Sequence, residues 1–324
     1  MQRHIQDWKL GFALALTTAV LWGVLPIALK VALTELDAWT ITWCRFAGAM
    51  ATVGIWLAMR GQLPGAQLRD RNVWRWLIPG FLGLTGNYVL YVLGLRYTSP
   101  AVTQTVMQIA PLLLVVFGMV LFHERFSRLQ WLGFAVLVSG LVVFFNRRLP
   151  ELLNPSQDWS FGILLLVCSA VSWAIYGLSQ KKLLRHFSSP QILFLVYAGS
   201  ALILMPTASL SAVFSLHRPA FLALLFGVAN TVVAYGAFGM ALEVWEVSRV
   251  SSVAATAPLF TFAGSMLAAL AKFEWVNPES LNALSFVGAF CVVAGSVVSA
   301  LGNRSRLPSK AGANVRPDTS TSLS

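Results

Sequence analysis

Ten apolar runs of roughly twenty residues alternate with short polar gaps along this chain. They cover about 11–30, 39–59, 76–95, 101–122, 129–146, 161–180, 191–213, 220–241, 249–271 and 282–301. At 1.5 Å rise per residue, about 20 mainly apolar residues cross the ~30 Å hydrocarbon core of a bilayer. Lipid offers no partner to backbone N–H and C=O groups, so each run is expected to be a helix. The alternating pattern of a membrane barrel is absent. The pattern therefore predicts an all-α integral membrane protein with ten transmembrane helices. No gap is long enough for a soluble domain. Residues 1–10 are expected to be a cytoplasmic N-terminus, and 147–160 a linker. The stretch 303–324, polar and rich in Ser, Thr, Pro and Arg, is expected to be a disordered tail. The first run continues to about Ala32 with no small-x-small cleavage site, so it reads as a retained span and not a signal peptide.

Composition agrees with the pattern. Hydrophobic residues make up 57% of the chain and charged residues 11%, against about 25% charged in soluble domains. A net charge of +11 would suggest nucleic acid in a soluble protein. Here Lys and Arg sit between apolar runs, where they orient the chain against the membrane, so no nucleic-acid partner is expected. With cytoplasmic termini, sixteen of the 23 Lys and Arg residues fall on the cytoplasmic side and six outside, while the acidic residues divide evenly. That bias is the positive-inside pattern. It predicts a multi-pass protein of the cell inner (cytoplasmic) membrane with both termini cytoplasmic. Cys44, Cys168 and Cys291 each lie in an apolar run and read as small buried hydrophobes. No metal site and no cofactor is expected.

The two halves resemble each other. Gly11, Ala19, Trp22 and Lys30 match Gly162, Ala170, Trp173 and Lys181; Ala110-Pro111-Leu112 matches Ala257-Pro258-Leu259; Gly133 and Gly140 match Gly288 and Gly295. Five spans is an odd number, so the second half must enter the membrane upside down. The fold expected is two inverted five-helix repeats, 11–146 and 161–302. Inverted repeats are characteristic of transporters, because two similar halves can exchange conformations and give inward- and outward-open states of similar energy.

The segment Leu95-Arg96-Tyr97-Thr98-Ser99-Pro100-Ala101, then Ala110-Pro111-Leu112, Glu124 and Gly133, resembles the most recognisable stretch of the drug/metabolite transporter superfamily. The second half repeats it at Leu242, Ala257-Pro258-Leu259 and Gly288, and Arg45 is similar to the arginine often found in that superfamily's second span. The chain resembles the ten-span members with two EamA-type domains. The resemblance implies an alternating-access carrier in which spans 1, 3, 4, 6, 8 and 9 line a cavity and spans 5 and 10 brace it. It implies amino acids, metabolites or drugs as substrates, often exported. The second copy departs where Glu274, followed by Trp-Val-Asn-Pro, stands in place of Glu124 followed by Arg125.

Several side chains are candidates for substrate contact. Arg45 is the one charge clearly inside a run, where burial is costly and usually has a reason. It reads as a clamp for a carboxylate, or else as a snorkelling side chain or the structural partner of Glu35 or Asp37. Asn87 and Tyr91 share one helix face, as do Gln104 and Gln108. Polar groups in lipid must find partners, so these either join helices or coordinate substrate. Asn230, Tyr235 and Thr256 are further candidates, with Tyr176 beside the mid-span Trp173 and its match Trp22. Pro26, Pro111 and Pro258 are candidate hinges, since proline removes a backbone donor and favours a kink; Pro206 could act likewise. No Asp or Glu lies deep in any run, which argues against a buried proton relay.

The expected function is transport of a small metabolite, an amino acid or related compound and more often exported, by alternating access. The expected partners are that substrate and membrane lipid, and a homodimer is compatible with this reading. A flippase for a lipid-linked head group is the near alternative. An intramembrane enzyme is disfavoured, because all four histidines lie outside the runs or at their ends.

Overall fold

The computed structural model describes residues 8–110, 113, 127–146, 158–244, 250, 253–271 and 282–302. Among them the regular structure is entirely helical. The first half supplies α1 (Trp8–Ala32), α2 (Ala38–Met59), α3 (Arg71–Tyr97), α4 (Pro100–Val106) and α5 (Arg128–Phe144). The second supplies α6 (Asp158–Leu183), α7 (Ser189–Leu204), α8 (Leu210–Phe214), α9 (Arg218–Val244), α10 (Ala257–Leu270) and α11 (Ala283–Gly302). Six helices are long and apolar enough to cross a bilayer: α1, α2, α3, α6, α7 with its one-turn extension, and α9. The helices α5, α10 and α11 are apolar but shorter. Pro111, Glu124, the end of the fourth run, most of the 147–160 linker and the 303–324 tail lie outside the described residues.

Local chemistry sets the helix starts. Asp37 accepts from the backbone N–H of Trp39 at 2.8 Å and of Thr40 at 3.0 Å. Ser127 and Gln130 close a capping box on α5. The seventh run was expected to be helical to residue 213. Instead α7 ends at Leu204 and a one-turn 3-10 segment, Met205–Thr207, follows. Pro206 cannot donate to the preceding turn, so it terminates the helix instead of hinging it. The cysteines are free, as expected, but not buried: Cys168 is exposed and the other two half-buried. Lipid accepts a thiol as readily as a core does.

Contacts fix the helix directions. Between α3 and α6, Gly80 lies beside Ser179 and Gly94 beside Leu166, so the two run antiparallel. Thr18 Oγ1 reaches Ala234 O at 3.3 Å and Asn230 Nδ2 donates to Leu21 O at 2.6 Å, so α1 and α9 are antiparallel. Thr40 meets Ser209 and Gly54 meets Phe194, so α2 and the α7–α8 segment are antiparallel. Short turns reverse the chain between α1 and α2 and between α6 and α7. Following these reversals, α6 points opposite to α1. Exchanging α1 with α6, α2 with α7, α3 with α9, α4 with α10 and α5 with α11 maps the main packing pairs onto one another: α3–α6 becomes α9–α1, while α2–α7 and α5–α11 return to themselves.

Glycine makes the closest seams. A Cβ on Gly83 would lie 2.9 Å from Tyr176 N, and one on Gly288 would lie 2.3 Å from Phe144 N. Lipid gives little hydrophobic drive between helices, so such backbone approach is how membrane helices gain contact.

Candidate substrate site around Arg45

Arg45 projects from α2 into the largest core cluster and is 2% exposed. Its Nε donates to Thr231 Oγ1 on α9 at 3.1 Å, and its Cζ lies 4.2 Å from the centre of the Tyr88 ring on α3. Thr231 Oγ1 in turn donates to Gly227 O at 2.9 Å. A guanidinium over a desolvated ring gains about 2 kcal/mol, which helps hold the charge in place.

The carboxylates expected as structural partners are committed elsewhere. Asp37 caps α2 and also accepts from Thr40 Oγ1 at 2.6 Å. Glu35 accepts from the backbone N–H of His217 at 2.9 Å and lies 3.2 Å from its Nδ1. The backbone N–H of His217, with its ring adding to the effect, holds the Glu35 carboxyl below the usual carboxylate range. Among the described residues no carboxylate pairs with Arg45, and its terminal nitrogens make no hydrogen bond. Among the described residues Arg45 is thus not the ion-pair partner of Glu35 or Asp37.

Aromatic rings surround this charge. Phe46 stacks on Tyr88 at 4.6 Å and lies 5.9 Å from Tyr197. Tyr88 lies 6.2 Å from Tyr235, which meets Trp22 edge-on at 5.4 Å. The hydroxyls of Tyr88 and Tyr176 and the Oδ1 of Asn230 are buried without a hydrogen-bond partner. Leaving such a group unpaired costs roughly 1–3 kcal/mol; of the three, Tyr88 and Tyr176 belong to this cluster, with Tyr235 and Thr231 beside the Tyr88 hydroxyl.

The structure brings Trp22, Arg45, Tyr176 and Tyr235 into or against this cluster, with Trp173 packed at its edge. Tyr91 donates to Gln104 Oε1 at 3.2 Å and Gln104 Nε2 reaches Trp22 O at 3.4 Å, joining α3, α4 and α1. Asn87 serves the α3–α6 seam: its Nδ2 donates to Ser169 O and Oγ, and Ser169 Oγ returns a bond to Asn87 O. Asn230 is anchored to α1 through Leu21. Among the described residues the Thr256 side chain bonds to its own turn, through Val253 O at 2.6 Å. Tyr88, Phe46, Tyr197 and Thr231 were not singled out from the sequence. Tyr88 was within reach, since it precedes Tyr91 by three residues and so shares its face. Thr231 gave no signal, because its role depends on which helix α9 meets.

Of the candidate hinges, Pro26 and Pro258 lie within the described residues. Pro26 is buried inside α1. Pro258 was expected mid-helix but sits in the first turn of α10, just after a turn at Ala255–Thr256. There Thr256 N and Leu259 N each bond three residues back instead of four. The first half breaks in the corresponding place, at Met107–Gln108, where Gln108 N and Ala110 N also bond three residues back. Each helix stops and restarts, because a proline cannot donate and the tightened turn takes up the difference. Discontinuous helices in matching positions are where carriers commonly build their binding sites.

Gln108 accepts from Ser296 Oγ on α11 at 3.1 Å, which ties the broken segment to α11. Gln108→Leu is expected to lower thermal stability, with about 1–3 kcal/mol lost to an orphaned Ser296, and to leave substrate affinity unchanged. A thermal melt and a binding isotherm on the same preparation separate the two, and an altered affinity would put Gln108 in the site.

Residues 9–146 and 160–301 each match the EamA-like transporter family. An "Uncharacterized transporter" of Haemophilus influenzae is 39% identical over 300 residues, covering 92% of this chain and 97% of its own. The "Uncharacterized inner membrane transporter YhbE" of Escherichia coli K12 is 39% identical over 302 residues, covering 92% and 94%. A "Probable amino-acid metabolite efflux pump" of Salmonella typhimurium is 24% identical over 314 residues, covering 92% and 97%. One crystal structure shares the fold with a TM-score of 0.61 at 21% identity, covering 93% of this chain and 98% of its own.

Proposed function

The chain belongs to the EamA-like transporter family, and on that premise we propose that it exports a small carboxylate-bearing metabolite, an amino acid or related compound, across the inner membrane by alternating access. In this reading ten spans form two inverted five-helix repeats with both termini cytoplasmic. Arg45 clamps the substrate carboxylate. The rings of Tyr88, Tyr235 and Trp22 wall the site, and the breaks ahead of Pro111 and Pro258 let the walls move.

The observation that carries the proposal is a buried guanidinium whose terminal nitrogens have no described partner. A charge in the bilayer interior costs about 2.5–3.5 kcal/mol on insertion scales, and the Thr231 bond and Tyr88 ring leave the terminal nitrogens free to bind a carboxylate. The opposed directions of α1 and α6 support the inverted arrangement, and the amino-acid efflux relative supports the substrate class.

Purified protein in lipid vesicles tests it. Vesicles preloaded with labelled leucine or its N-acyl and 2-oxo derivatives are expected to release at least one of them faster than protein-free vesicles. Release no faster than the background for every compound would discard the proposal. A cysteine introduced at Gln62, in the turn after α2, should be labelled from the cytoplasmic side only; labelling from outside would overturn the orientation.

A further inference from the structure

Among the described residues, Arg45 is the sole charged side chain that is buried, and no carboxylate is buried beside it. A guanidinium cannot give up its proton in a protein. Arg45 therefore contributes a positive charge that the described lining does not cancel. We propose that the substrate is a net monoanion and that transport is electrogenic, with one negative charge leaving the cell per turnover. This rests on the reading of Arg45 as the carboxylate clamp.

Charge matching in a low-dielectric interior selects the substrate. A monoanion cancels the guanidinium, and the loaded site moves as a neutral unit. A phosphate dianion leaves an uncompensated negative charge, which is strongly unfavourable when buried. A zwitterion leaves the site as positive as when empty. Neutral oxygens such as the Tyr88 hydroxyl can solvate an ammonium but cannot cancel it. Among amino-acid relatives this favours compounds without a charged amino group: N-acyl amino acids, 2-oxo acids and 2-hydroxy acids.

The same count sets the direction. The loaded carrier crosses the field as a neutral complex, and the empty carrier returns carrying its positive charge. An inside-negative potential draws that charge inward, so the return stroke is driven and net flow is outward. No coupling proton is needed, and Arg45 could not supply one.

The experiment uses full-length protein in vesicles made permeable to potassium by valinomycin. A potassium ratio of about ten, high inside, imposes a ratio of about tenfold, high outside, on any freely equilibrating monoanion. N-acetyl-L-leucine, N-acetyl-L-phenylalanine and 4-methyl-2-oxopentanoate are the probes, with L-leucine as the zwitterion and glycerol 3-phosphate as the dianion. At least one monoanion should reach about a tenfold ratio, reversing with the gradient, and should be carried faster than L-leucine and glycerol 3-phosphate. Arg45→Gln should abolish carriage. Carriage that needs Arg45 but ignores the gradient overturns the charge count and leaves the clamp standing. Carriage that persists in Arg45→Gln overturns the clamp itself. Failure of all three monoanions, or preferential carriage of the zwitterion or dianion, also overturns the proposal.

Discussion

Arg45→Ala is expected to slow transport by at least about a hundredfold while the protein still inserts and folds. Two charge-assisted hydrogen bonds from the terminal nitrogens to a carboxylate, at about 1.5–3 kcal/mol each, exceed the ~2.8 kcal/mol that a factor of a hundred represents. The fold has less to lose. The substitution removes the bond to Thr231, but Thr231 keeps its bond to Gly227 O, so no buried group is newly orphaned. The stacking with Tyr88 is lost, and so is the cost of a charge in the bilayer. Initial release rates, normalised to protein that elutes as a single species, check this. Rates within twofold of wild type would remove Arg45 from the site.

Gly288→Val is expected to be the most damaging apolar substitution of those considered. A Cβ at this position would lie 2.3 Å from Phe144 N, 2.6 Å from Phe144 Cα and 2.7 Å from Gly140 O. All three are backbone atoms, which cannot rotate away as a side-chain tip can. The α5–α11 seam would have to separate, giving up the contacts at Gly140 and Gly295 as well. Overpacking typically costs 1–3 kcal/mol and more where the neighbours are rigid, so more than about 3 kcal/mol is expected, enough to deplete folded protein from the membrane. Gly236→Ala is the control: nothing lies within 4 Å of its added Cβ, and its melting temperature should stay at or slightly above wild type. Equal stability of the two variants would mean that the seam is not tight.

Much of this was legible in the sequence because the membrane imposes simple rules. Apolar length located α1, α2, α3, α6 and α9 to within a few residues. The matched Trp, Pro and Gly positions pointed to two related halves before any contact was known. Arg45 was conspicuous because charges are rare in such runs. The helix breaks at Met107–Gln108 and Ala255–Thr256 were not foreseen, since the sequence reading placed kinks at Pro111 and Pro258. A proline states that one bond is missing, but not whether the chain continues past it or tightens and restarts. The wall of the site was partly invisible for a different reason. Phe46, Tyr197 and Thr231 look like ordinary span residues, and their meeting depends on how α2, α7 and α9 cross. Periodicity cannot give a crossing between helices that are apolar on most faces.

The seam between α5 and α11 returns to itself when the halves are exchanged. Under the alternating access proposed above, pairs with that property, α2–α7 as well as α5–α11, look the same before and after the halves trade shapes, whereas α1–α10 and α4–α6 swap geometries. On that reading the glycine-lined seam serves as a fulcrum, because its close backbone contact would hold two rocking halves together.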